Sequence, residues 1–474
     1  MGCYVSFLQP AAVNLLTRDV ARGRKSPALR ATTFEVSRVS RDSSFVNSPE
    51  HRRACLARIS LLEQENTITS AVYEALSKRY GALFDDIARG ERAREAGRHL
   101  PLVPLKQLTD QGFGAITVPV DAGGDGADYQ TMFRLLMDLA AVDANLAHIW
   151  RSHLAFIEYL RLIPDDQQRH QWWQRILEGQ WGGSALSSQY DDDDEPATII
   201  TRDDSGILRI SGDKYYTTGT LASDWTVVSA TLEDSLAESI LRRRRRAGES
   251  GLSLRLVQEC LAVVRVRQPR VHVKDDWDGF GQRMTATGTL RMREAGVETL
   301  LDIGKQHVFI PVFHEISLVA LLVGIGRAAL RDGVEAMRER TRIFNTSTGQ
   351  IPRYDGEMLG IIGQLAAHLG AAEEMVRATG RELDAQNLTE ATLHSQRASV
   401  MVPQLVLDVC TRIFDTLGAS ATSSGQELDR HWRNARTLAT HDPAVFKERM
   451  LGDWEVNGVM PTPFISTNHG HELL

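Results

Sequence analysis

"ATIITRDDSGILRISGDKYYTTGTLASDWTVVSATL", residues 197–232, decides how the chain is organised. β-Branched and aromatic residues alternate there with Gly, Asp and Ser turns, the pattern of antiparallel strands. On both sides the period changes to that of helices. Upstream, Met132, Leu135, Leu136 and Leu139 recur at i, i+3, i+4 and i+7, the apolar stripe of an amphipathic helix. Downstream, "ISLVALLVGIGRAALRDGVEAMRERTRIF" (316–344), "GIIGQLAAHLGAAEEMVRATGREL" (360–383) and "RASVMVPQLVLDVCTRIFDTLGAS" (397–420) are each long enough for a bundle helix. Gly324, Gly326, Ala328 and Ala329 would let such helices approach closely. The expected fold is mainly α with a central β domain. It has an extension over 1–55, a helical domain over 56–180, a β domain over 181–305 and a helical bundle over 306–474. Residues 232–270 are less strand-like than their neighbours, and "LRRRRRAGES" (241–250) within them reads as a solvated loop.

The chain has 474 residues, too many for one simple core. It is 42% hydrophobic and 24% charged, an ordinary globular composition, and a net charge of -7 gives no sign of a general nucleic-acid binder. Cys3, Cys55, Cys260 and Cys410 are scattered, which argues against a disulfide framework or thiolate metal site and fits a reducing, cytoplasmic setting. No apolar run approaches the roughly 18–20 residues that span a bilayer. The first 55 residues are Arg- and Ser-rich. They read as an organellar targeting segment, a disordered tail or a stretch foreign to the fold. "MGCYVS" also meets the loose myristoylation pattern. "ITVPVDAGGDGADYQ" (116–130) is a Gly-rich turn, not the dinucleotide fingerprint. No HExxH, Walker loop or Ser-His-Asp order occurs.

Two histidines stand out. In "RTLATHDPAVFKERMLGDWEVNG" (436–458), Asp442 suits a helix N-cap and Pro443 the first helical position, so His441 stands at a helix mouth. It is either a turn residue or one held there for chemistry. His153, in "NLAHIWRSHLAF" (145–156), is either a core histidine or a pocket residue. His148 is about 500° away around the same helix, so the two are not a metal pair, and it reads as bland.

The order of helices, β domain and bundle resembles the acyl-CoA dehydrogenase fold. "VPVDAGGDGADY" (118–129) is similar to that family's P-x-x-x-G-G-x-G turn, and "GDKYYTTGTLASDW" (212–225) to the segment lying against the flavin. "DDWDGFGQRMTATGT" (275–289), "LDRHWRNARTLATHDPAVFK" (428–447) and "VNGVMPTP" (456–463) resemble the family's flavin-dependent monooxygenases, in particular those acting on organosulfur compounds. The usual dehydrogenases carry Y-E-G-T, with a glutamate base, where this chain has Thr440, His441, Asp442 and Pro443.

The resemblance implies an acyl-CoA dehydrogenase-like fold and a homotetramer. It implies a two-component monooxygenase that takes reduced FMN from a separate flavin reductase and oxygenates a small apolar or organosulfur substrate with O2 through a C4a-hydroperoxyflavin. His441, His153 and Thr218 would be catalytic. Ser187, Ser188, Thr217, Thr218, Gly219, Arg283 and Arg433 would hold the cofactor, with no metal. A phosphate needs charge-assisted donors, and Ser420 stands where relatives carry an arginine. Ala185 likewise replaces a flavin-facing Asn. These departures leave open weak flavin binding, FAD in place of FMN, or a non-catalytic flavin-fold protein; a dehydrogenase with its base elsewhere is a separate alternative. Trp181 and Trp225 read as core.

Overall fold

The computed structural model describes residues 49–187, 198–249, 251, 253–301, 309–347 and 349–462, with side chains from residue 69 onward. The segment before 49 and Ser188 lie outside the described residues. The chain divides into two compact units, Met1–Ile68 and Thr69–Leu474. In the first, the described residues are helical.

Helix α1 (Pro49–Gly97) begins before the boundary drawn from composition at residue 55. It is followed by α2 (Leu102–Asp110), α3 (Tyr129–Ala140), α4 (Ala144–Leu160) and α5 (Asp166–Leu177). Asp128, Asp143 and Asp165 cap α3, α4 and α5, each accepting the backbone N–H of the third residue of its helix. The stripe of Met132, Leu135, Leu136 and Leu139 is fully buried, as its spacing predicts. Every residue of α4 is buried, so this helix runs through the core instead of over it.

The strands are β1 (Gly182–Ala185), β2 (Ile199–Arg202), β3 (Leu208–Lys214) and β4 (Trp225–Leu232). After two helices, α6 (Asp234–Arg246) and α7 (Leu254–Gln258), come β5 (Glu259–Arg265), β6 (Val271–Val273) and β7 (Leu290–Leu301). β4 pairs with β2 on one edge and β5 on the other, and the path β4-β2-β3-β7-β5 therefore closes into a small barrel. The arginine run is not a loop. It is the end of α6, whose Leu236, Ala237 and Leu241 are buried against the barrel core of Ile200, Ile210, Val228 and Met292. Arg243 to Arg246 fill its last turn, where cations suit the partial negative charge of a helix C-terminus. So many arginines mask the apolar period, which is why the stretch read as irregular.

Long helices follow: α8 (Phe309–Glu339), α9 (Gly356–Asp384) and α10 (Leu388–Arg412), then α11 (Asp429–Ala439) and α12 (Ala444–Asn457). α8 is long and apolar enough to cross a membrane by length and composition, against the expectation that no run comes near that. Yet 83% of its apolar window is buried among neighbours, the position of a core helix. At Gly324 an added Cβ would come within 2.4 Å of Ala140, so a glycine is what lets α8 touch α3.

Candidate active site

Helix α4, the β7-leading loop, α8 and the turn before α12 meet around a polar seam in an otherwise apolar interior. On α4, Asn145, His148 and Ser152 follow one another at i, i+3 and i+7, with Arg151 beside them. His148 Nδ1–H donates to Gln282 Oε1 at 3.0 Å, leaving its buried Nε2 without a partner. Burial, with Arg151 and His441 close by, holds His148 well below the usual histidine range. It is therefore a neutral acceptor.

From Gln282 the seam continues as hydrogen bonds. Thr285 Oγ1 lies 3.0 Å from Gln282 O and 2.8 Å from Thr287 Oγ1, which lies 3.4 Å from Thr218 Oγ1, each hydroxyl giving its one proton to one neighbour. The chain thus links His148 to the half-buried Thr218. Gln282 and Ala286 adopt positive φ, 53° and 51°, which costs free energy for non-glycine residues. Side chains hold the loop there: Gln282 N–H donates to Asn434 Oδ1 at 2.6 Å, and Met284 N–H to Asn145 Oδ1 at 3.0 Å. Gly281 allows the close approach to α11, since a Cβ there would lie 2.1 Å from Arg433 O.

Asn145 Nδ2 donates to Glu95 Oε2 at 3.2 Å, and Glu95 gathers two arginines. Arg433 donates to Glu95 Oε1 at 3.0 Å, and Arg283 Nε lies 3.6 Å from the same oxygen with no hydrogen bond of its own. These side chains, with Thr422, Ser424, Glu427 and Asp429, line a polar cleft of about 370 Å³. An apolar hollow of about 420 Å³ adjoins it, lined by Cys410, Phe414 and Trp432 and sharing Thr422 and Asp429.

At the seam's other end, Arg151 Nη1 donates to His314 Nδ1 at 3.2 Å, so His314 carries its proton on Nε2 and donates it to Tyr159 Oη at 2.5 Å. His441, half exposed, donates from Nδ1 to Asp442 Oδ2 at 3.2 Å. Its charge reaches both His148 and His314, so the three imidazoles share one neighbourhood. Asp442 does not cap α12. The N-cap is Pro443, with no side-chain hydrogen bond, because Asp442 turns instead to His441 and, at 3.9 Å, to Lys447. Burial would raise the Asp442 carboxyl, but the bond from His441 and the charges of His441, Lys447 and Arg151 outweigh it and hold it below the usual range.

Several expected contacts are taken up by the backbone. His153 accepts Gly182 N–H at Nδ1 (3.1 Å) and donates from Nε2 to Gly114 O (2.9 Å). With both nitrogens engaged, and burial lowering it to about 4, it is a bracket between α4 and β1, not an acid–base group. The Thr217 hydroxyl donates to Gly288 O at 2.6 Å, and Gly219 N–H to Thr285 O at 2.9 Å, so both donors are engaged within the fold. Gly219 serves by its positive φ of 80°. Ser187 contributes its carbonyl to Tyr215 N–H at 3.2 Å. Ala185 faces the barrel core. Ser420, in place of an arginine, accepts from Arg340 Nη1 at 2.7 Å. Among the described residues no group of three His, Cys, Asp or Glu could hold a metal.

His148, Arg151, Gln282 and His314 were missed or set aside. The polar spacing 145, 148, 152 along an apolar helix is the signal that points to α4's share of them.

The chain matches the acyl-CoA dehydrogenase N-terminal domain over residues 63–180 and the acyl-CoA dehydrogenase C-terminal domain over 316–445, together more than half its length. It is 26% identical to the "Probable FMNH2-dependent monooxygenase SfnC" of Pseudomonas putida, covering 77% of this chain and 90% of that one. It is 25% identical to the dibenzothiophene monooxygenase of Mycolicibacterium goodii, covering 76% and 88%. The crystal structure of FMN-bound TdsC from Paenibacillus sp. A11-2 superposes with a TM-score of 0.73 at 23% identity, over 82% of this chain and 99% of that one.

Proposed function

The chain belongs to the acyl-CoA dehydrogenase family, and from that premise we propose that it is a flavin-dependent monooxygenase using reduced FMN and O2. Its substrate is a small organosulfur or apolar compound. The observation that carries this reading is the turn at 440–443. There His441, half exposed and held by Asp442, stands beside His148 and His314, at the place where the resemblance puts a dehydrogenase's glutamate. The relatives named as monooxygenases match over most of their own length, which supports it.

The residues present fit a flavin. Arg283, whose Nε is buried without a hydrogen bond, and Arg433 would hold the phosphate by exchanging part of their present bonds to Glu95 and Asp429 for it, aided by the hydroxyls of Thr422 and Ser424. The Thr218 hydroxyl and the unpartnered Nε2 atoms of His148 and Gln282 would meet the polar edge of the ring. Bound there, reduced FMN supplies the electrons that activate O2. FAD is the second reading of the cofactor, favoured by the apolar hollow beside the cleft, which offers room for another ring system.

In this reading the chain's own groups place and move protons. Asp442 fixes His441 with its proton on Nδ1, which leaves Nε2 to accept or return one. His148, neutral through burial, can only accept. The all-buried α4 keeps water from that side.

We take the working form to be a homotetramer in a reducing cytoplasm. Met401, Phe446 and Val456, exposed on α10 and α12, support the first, and the buried free thiols Cys260 and Cys410 suit the second.

With no dinucleotide fingerprint, electrons must come from a separate reductase. The purified chain mixed with NADH and FMN should leave NADH unoxidised until a flavin reductase is added. Direct NADH oxidation by the isolated chain would sink the two-component reading.

A further inference from the structure

We propose that Arg151 seats an anionic headgroup of the substrate, a small oxyanion such as a sulfinate, sulfonate or carboxylate, beside the flavin edge. This rests on the monooxygenase reading above and narrows its substrate class.

Arg151 is 4% exposed, in the middle of a helix with no exposed residue. A buried cation is costly unless a counter-charge and hydrogen bonds offset the lost water. Elsewhere the chain provides them: Arg430 meets Glu91 and Asp332, Arg94 meets Asp143, and Arg161 meets Glu158. Arg151 differs. Among the described residues no carboxylate stands at ion-pair distance from it. Its Nη1 is spent on His314, and its Nε is buried with no partner. Asp442 acts on it only from further away and is engaged by His441 and Lys447.

The other groups around it do not balance the charge. His148 and His314 are held neutral by burial and by Arg151 itself. Tyr159 is kept protonated by burial. One further polar group on α4, the Ser152 hydroxyl, is likewise buried and unpartnered and has a proton to donate. A planar guanidinium with free N–H groups matches two oxygens of one small anion, which would offset the charge. Arg151 lies one helical turn from His148 on α4 and close enough to act on it, and His148 is bonded to Gln282 at the edge of the candidate flavin site, so the anion would sit on the His148 side of that site.

The test is calorimetric titration of the FMN-loaded protein with methanesulfinate, methanesulfonate and acetate, and with dimethyl sulfone as a neutral control of similar shape. At least one anion should bind and dimethyl sulfone should not. Hydrogen bonds to a charged group contribute about 1.5–3 kcal/mol, so Arg151→Met should weaken anion binding by about 10–100-fold while FMN affinity stays parental. Arg151→Lys, which keeps the charge but not the fork, should fall between. The proposal is overturned if none of the anions binds, if dimethyl sulfone binds as tightly as they do, or if Arg151→Met binds them like the parent. Should Arg151→Met fail to fold, the anion-to-sulfone comparison on the parent and Arg151→Lys decides. A protein that binds the anions but never FMN would contradict the monooxygenase reading and leave the anion seat standing.

Discussion

His441→Ala should slow oxygenation by about 10²–10⁴-fold, the usual contribution of a positioned acid–base group, and leave the unfolding midpoint near that of the parent. The side chain is half exposed and makes one hydrogen bond, to its own neighbour Asp442, so little packing is lost. Asp442→Asn should also be nearly neutral for stability, because Asp442 does not cap α12. It should lower the rate by less than His441→Ala, since an amide still accepts from Nδ1 but no longer steadies a charged imidazole. Steady-state rates with urea unfolding on the same preparations separate the two effects. If His441→Ala keeps the parental rate and Asp442→Asn abolishes chemistry in a folded protein, Asp442 is the base and the dehydrogenase reading is the better one.

Arg430→Met should cost about 3–5 kcal/mol of stability, the usual penalty for stripping a buried ion pair of one partner. Arg430 is 2% exposed. Its Nε reaches both oxygens of Glu91, at 3.2 and 3.0 Å, and its Nη2 lies 2.5 Å from Asp332 Oδ2. Asp332 would keep Arg331 and His431, but Glu91 would be left without its guanidinium. Burial already lifts Glu91 to about 7 against the pull of Arg430. Without that pull its carboxyl rises further, so protonation can relieve the variant. Its deficit should therefore be smaller in urea unfolding at pH 6 than at pH 8. Arg430→Met/Glu91→Gln should recover part of the loss. A deficit under about 1 kcal/mol at both pH values would mean that the pair is not held dry. The network ties α1 and α8 to α11, which also carries Arg433 and Asn434, so the same variant should weaken flavin binding.

The fold was legible because strand and helix periods alternate in long blocks: the stripe on α3, the strands of 197–232 and the three long C-terminal helices all stand where their patterns placed them. α6 was not, because four arginines in its last turn swamp an apolar face of only a few residues. At the candidate site, the sequence singles out His441 from its place before a helix. Its partner was misjudged, since the Asp-Pro pattern favours a cap and nothing local shows that Asp442 prefers His441 and Lys447. His153 and His148 have surroundings that their places in the helix do not reveal, for a tertiary reason. The backbone atoms that occupy His153 come from Gly114 and Gly182, and the amide that orients His148 comes from Gln282, all remote in sequence.

A monooxygenase must make O2 react on its bound reduced flavin differently from free FMN. Anaerobic protein loaded with reduced FMN, mixed rapidly with air-saturated buffer, tests it most directly. Reoxidation should proceed in two phases, through a transient absorbance distinct from both reduced and oxidised flavin, and His441→Ala should shorten the life of that species. Single-phase return to oxidised flavin, at the rate of free FMN and unchanged in His441→Ala, would rule out the monooxygenase reading.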